Sequence, residues 1–113
     1  MPFQIGNAAD EGEARHGWLL GHFAEPDSAL HSTDVEVKWA HHLAGERREA
    51  VSSRSAARTL SILVRGRFVL EFSGKEVVLA REGDYALWDG AEPHAWRCEE
   101  DSLIVTVRWP SVP

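Results

Sequence analysis

The chain has one cysteine, Cys98, in 113 residues, so it forms no internal disulfide and holds no cysteine-rich zinc site. It has no apolar run long enough to cross a bilayer. Its opening stretch, MPFQIGNAADEGEARHGW, lacks an apolar segment of signal-peptide length. The expected setting is the cytoplasm, with no membrane partner. Cations are scarce as well: 12 Lys and Arg stand against 18 Asp and Glu, a net charge of −6. They are also scattered, and the pair Arg47-Arg48 is flanked by Glu46 and Glu49. Nucleic-acid binders gather cations on one face, so no nucleic-acid partner is expected. Residues Arg47 to Arg58 (RREAVSSRSAAR) lack a sustained apolar stripe of either period and read as a loop with a few extended residues.

What the chain does have is strand-length apolar runs separated by turns. The length allows one domain, and 43% hydrophobic residues with nine glycines suit a β-rich globule. Residues 34–41 (DVEVKWAH) alternate strictly, with Val35, Val37, Trp39 and His41 on one face and Glu36, Lys38, Ala40 and then His42 on the other. The adjacent His41 and His42 therefore point opposite ways and do not make a two-histidine chelate by themselves. Further strands are read at Leu60–Val64, Phe68–Phe72 and Glu76–Leu79, with turns at Gly66 and Ser73-Gly74. After an acidic turn at Glu99-Glu100-Asp101, residues Ser102 to Trp109 alternate again, and Pro110 ends them. Some eight candidate strands with turns between them predict an antiparallel sandwich or barrel. Residues 1–33 are read as an N-terminal arm and 34–113 as the barrel. The arm carries Trp18, Leu19, Leu20 and Phe23 between glycines. These apolar groups need cover, which predicts that the arm crosses onto a second subunit, making a homodimer, or covers a sheet edge; an arm folded back on its own barrel is the other reading.

The most legible stretch is Gly83 to Trp96 (GDYALWDGAEPHAW). Gly83-Asp84 and Asp89-Gly90 are turn signals around a short strand, a pattern that predicts a hairpin. Pro93 then fixes the backbone before His94, which shares a strand face with Trp96 and Cys98. This stretch resembles the second motif of the cupin superfamily: glycine, five residues, Pro-x-Gly, two residues, histidine. Gly83 and His94 fall on its glycine and histidine, whereas Asp89, Ala91 and Cys98 stand at its proline, turn glycine and later asparagine. The resemblance covers roughly the last two thirds of the chain. It implies an all-β fold, the double-stranded β-helix or jelly-roll barrel, with His94 inside. The family's first motif, His-x-His followed by a glutamate, supplies most of its metal ligands. Counted from Gly45, its histidine places fall on Val51 and Ser53; counted back from Gly66, they fall near Ser53 and Ser55, with the glutamate place on Thr59. Valine cannot coordinate a metal, and neutral hydroxyls are poor ligands, so the standard metal site is expected to be dismantled and no cofactor is expected.

Candidate ligand-contacting residues are then His94, Trp96, His42, Arg48, Thr59 and Tyr85. Trp96 reads as a pocket wall or as core, and Tyr85, Trp88 and Trp39 also read as core. Arg48 and Arg58 could clamp a carboxylate, or be solvated surface pairs. Cys98 is a poor nucleophile, because the acidic residues after it raise a thiol pKa. The leading expectation is a metal-free barrel binding a small organic ligand. The alternative is a small enzyme of isomerase, epimerase, lyase or dioxygenase type using His94, with or without a divalent transition metal held by His42 or His41, His94, and Glu46 or Glu49. A third reading is a structural dimer with an occluded barrel.

Overall fold

The structure, a computed structural model, describes residues 3–51 and 56–113. Ser53 and Ser55, two of the positions counted for the missing first motif, lie outside the described residues, as does the side chain of Val51. Among the described residues there are seven strands: β1 (Trp18–Leu20), β2 (Glu36–His42), β3 (Arg47–Val51), β4 (Arg58–Phe72), β5 (Lys75–Leu79), β6 (Tyr85–Asp89) and β7 (His94–Trp109). All pair antiparallel. The fold is the all-β class that the spacing of apolar runs predicts.

Two long strands organise it. The first half of β4 pairs with β6 and with the second half of β7, from Leu60↔Val107 to Leu63↔Ile104. The second half of β4 pairs with β5 and with the first half of β7, from Phe68↔Cys98 to Phe72↔His94. Strand β2 extends the sheet beside the second half of β7, and β3 lies beside its first half, with Arg48↔Trp96 and Val51↔His94. Two sheets thus share two bent strands. The bend is where the register slips between Leu63 and Phe68. There Gly66 has φ +106°, and a Cβ on it would lie 2.6 Å from Ser102 Cα. Only glycine suits such a conformation at such an approach. The Ser102 hydroxyl accepts the Arg67 N–H (3.1 Å) and donates to the Glu100 carbonyl (2.6 Å), bonding backbone groups at the interrupted ladder.

Because of that slip the inward positions of β4 change parity. Thr59, Ser61 and Leu63 face in before it, and Phe68 and Leu70 after it. Leu63, Phe68, Leu70, Leu79, Ala86, Cys98 and Ile104 form the core, with Phe72, Val77, Trp88 and Trp96 packed on it. Each large side chain there contributes on the order of 2 kcal/mol by burial. On the outer face, Arg97 pairs instead with Glu71 and Glu76.

Several local expectations are corrected. Residues 47–51, read as part of a loop with a few extended residues, form β3; the segment lacks an apolar stripe because its described side chains, Arg47 to Ala50, are exposed. Gly66 and Glu99-Glu100-Asp101, read as turns, lie inside continuous strands. Strands β6 and β7 form no hairpin, since β6 pairs with β4. The first fifteen residues, read without regular structure, contain a helix α1 (Ala8–Gly12), whose N-cap Asn7 accepts the Asp10 N–H through its side chain. Five residues are too few to show a helical period. The arm continues into β1, which pairs with β2 of the same chain (Trp18↔Lys38), and His22 and Ser111 join it to the C-terminal tail at 2.8 Å.

If the bend depends on Gly66, Gly66→Val destabilises the fold by about 3 kcal/mol, from positive φ and overpacking together. Urea denaturation reads this directly, and a loss below about 1 kcal/mol would show that the bend adapts.

Candidate functional site

Between the two sheets lies a cavity of about 100 Å³. Its walls come from six strands because both sheets contribute alternate residues. Strand β2 supplies Lys38, Ala40 and His42, β3 supplies Arg48, and the two ends of β7 supply His94 with Trp96 and Thr106 with Arg108. Five of the residues expected from the sequence, His42, Arg48, Thr59, His94 and Trp96, therefore line one cavity. Tyr85 does not, which corrects its assignment. It is 65% exposed on the outer face, because alternation along β6 sends Ala86 and Trp88 inward instead. Arg58 also faces out, beside Asp89 at 3.6 Å.

Each inward histidine is wedged between aromatics. His42 sits 4.6 Å from Trp96 and 5.2 Å from Phe68, and His94 sits 5.0 Å from Trp88 and 6.0 Å from Phe72, centroid to centroid. Burial against these rings holds both imidazole pKa values below their ordinary range. For His42 a hydrogen bond to Glu46 (3.2 Å) opposes that shift only in part; for His94 the Arg48 and Arg108 guanidiniums add to it. The tautomer of His94 follows from its partners. Arg48 has only donors and lies 2.8 Å from Nε2, so Nε2 is the acceptor and Nδ1 carries the proton, 3.3 Å from the Glu92 carbonyl. The lone pair that a general base would use is engaged by Arg48.

The rest of the lining is polar. Ser61 and Thr106 share a hydrogen bond of 2.8 Å. Lys38 Nζ lies 5.5 Å and the Arg108 guanidinium 4.9 Å from the ring of Trp18, which the arm places over the cavity. Lys38 is pushed below its ordinary pKa by burial and then by Arg48 and Arg108. Lys38, Ser61, Thr106, Arg108 and Trp18 were not identified from the sequence. Parity was the available signal: Lys38 shares the face of His42, and Arg108 shares the face of Ile104. Cys98 is buried, and burial first, with Glu46 and Asp101 after it, pushes its thiol up.

No family model and no curated protein matches the sequence. Solved structures do. An RmlC-like cupin protein from Desulfovibrio desulfuricans superposes with a TM-score of 0.67 at 15% identity, covering 99% of this chain and 98% of that one. The chain has the cupin fold. KdgF from Halomonas sp. (TM-score 0.66, 20% identity) covers 73% of this chain and 74% of its own. The Cupin_2 domain of an XRE family transcriptional regulator from Enterobacter cloacae (0.61, 13%) covers 72% and 84%. The first match takes in the N-terminal arm, so the arm belongs to an architecture that another cupin-fold protein shares.

The cupin family implies a metal, and the cavity does not fit one. It offers two imidazoles and no carboxylate, and it is ringed by Lys38, Arg48 and Arg108, which repel a cation. The alternative ligand set is not brought together. His41 is exposed on the other face of β2, Glu46 bonds His42, Glu49 pairs with Arg47 at 2.9 Å, and His94 accepts from Arg48. Among the described residues no three of His, Cys, Asp and Glu converge on a possible ion site.

The depressed histidines set a pH dependence. Their folded-state pKa values lie below the unfolded one, so the unfolded chain takes up protons first, and stability held above the ordinary histidine pKa is lost as pH falls through the folded values. Urea midpoints are expected to fall from about pH 7 to about pH 5, and the double variant His42→Gln/His94→Gln to flatten that limb. A flat wild-type profile across this range would show that the imidazoles are not held neutral.

Proposed function

We propose that this cupin-fold chain binds a small organic ligand, without a metal, in the cavity between its sheets. The observation that supports the reading is the convergence of His42, Arg48, Thr59, His94 and Trp96, from four different strands, on one partly enclosed space. A barrel of this size built only for stability would fill its interior with apolar side chains. Here hydroxyls, imidazoles and cations face inward, beside the indoles of Trp18, Trp88 and Trp96. Polar groups that fix orientation, set among aromatic walls, are the usual make-up of a ligand site. Binding, rather than catalysis, suits the state of His94, whose Nε2 already accepts a hydrogen bond.

The chain's five tryptophans give a readout, because three line the cavity while Trp39 and Trp109 do not. In a small-molecule screen followed by the indole N–H resonances of ¹⁵N-labelled protein, a binder is expected to shift Trp18, Trp88 and Trp96 and to leave Trp39 and Trp109 in place. Trp96→Ala is expected to weaken that binder about tenfold or more. A screen in which nothing moves those three signals would discard the reading.

A further inference from the structure

The cavity's cations have no counter-charge in the lining, although the chain as a whole is acidic. Elsewhere on the barrel, arginines sit beside carboxylates: Arg47 with Glu49, Arg58 with Asp89, Arg67 with Glu99, and Arg97 with Glu71 and Glu76. In the cavity, Lys38, Arg48 and Arg108 are joined by no Asp or Glu among the lining residues. Only Arg108 reaches a carboxylate, that of buried Glu36 at 3.8 Å. Lys38 and Arg48 form no ion pair among the described residues, and the segment 52–55, Ser-Ser-Arg-Ser, contains no acidic residue. Three like charges at one concavity raise one another's energy, more so where aromatic walls thin the surrounding water. An anion placed among them removes that cost.

The donors are also arranged for an oxyanion. A guanidinium presents its N–H groups as a flat fork that matches a carboxylate or phosphate, and Lys38 adds a point charge. Ser61 and Thr106 also line the cavity and share one hydrogen bond, which leaves one of their two hydroxyl protons to turn toward an acceptor. The neighbouring open groove of about 420 Å³, lined by Phe72, Val77, Trp88, Asp89 and Glu92 among others, has the opposite character, with two carboxylates and no cation. The two concavities meet at Trp88.

We propose that the cavity is an oxyanion site, in which Lys38, Arg48 and Arg108 hold the carboxylate or phosphate of a small organic molecule whose body packs against Trp18 and Trp96. This rests on the ligand-binding reading above and names the chemical class of its ligand. Occupation also engages Arg48 with the anion and loosens its hold on the His94 Nε2.

The test compares malate and inorganic phosphate with malamide, which keeps the malate skeleton without its charges, at constant ionic strength. Malate or phosphate is expected to shift the Trp18, Trp88 and Trp96 indole signals saturably and to raise the melting temperature, whereas malamide does neither. Lys38→Met and Arg48→Met are expected to weaken the anion about tenfold or more. Without any anion, Lys38→Met is expected to melt at or above the wild-type temperature, because it relieves repulsion. Arg108 is kept, since removing it strands the Glu36 carboxylate. Failure of both anions to shift the signals, equal binding of malate and malamide, or equal anion affinity in the two variants overturns the proposal. A neutral compound that moves the same three indoles equally in wild type and variants leaves the ligand-binding reading standing and removes the oxyanion one. If no compound of either kind moves them, both fall.

Discussion

The whole architecture depends on β4 and β7 bending at the same level, so that each strand serves two sheets. The place is narrow: Gly66 lies against Asp101 and Ser102 at a backbone conformation that side chains rarely adopt, and the Ser102 hydroxyl takes up the Arg67 N–H. A straight β4 would keep one parity from Arg58 to Phe72 and could not place both Ser61 and Phe68 inside. The one-residue slip lets polar groups face inward at one end and apolar groups at the other. Core and cavity adjoin along the same pair of strands, sharing Phe68, Leu70 and Ile104.

That division explains how a small barrel tolerates a polar interior. The apolar end, with Leu63, Phe68, Leu79 and Ile104, carries the hydrophobic burial. Around the cavity several polar groups are satisfied locally. Ser61 bonds Thr106, His42 bonds Glu46, and His94 is held between Arg48 and a backbone carbonyl. Among the described residues no buried side-chain nitrogen or oxygen lacks a partner. The charge balance is the exception: Lys38 and Arg48 form no ion pair among the described residues, and only Arg108 reaches a carboxylate, that of Glu36.

His94 shows how one retained residue can change its chemistry through its neighbours. The second-motif resemblance implies an imidazole inside the barrel, and the imidazole is there. Its surroundings differ from a metal centre. A guanidinium occupies its acceptor nitrogen, two aromatics desolvate it, and no carboxylate lines the cavity around it. The electropositive centre beside it is an arginine, which cannot act as a Lewis acid but can pair with an oxyanion.

Strand periodicity alone determined the all-β class, the two faces of β2 and the shared face of His94, Trp96 and Cys98, because a period of two residues is local and survives without knowing the fold. It could not determine which face is interior. In β2 and the second half of β7 the cavity takes the more polar face, Lys38 with His42 and Thr106 with Arg108, while Val37, Val105 and Val107 face outward. It also misread β3 as loop and two strand bends as turns, since a glycine at a bulge and a glycine at a turn look alike in one dimension. Only the rolled structure brings Lys38, Arg48 and Arg108, distant in the chain, to one space, because their convergence depends on how two sheets curve over each other, and no run of neighbouring residues encodes that.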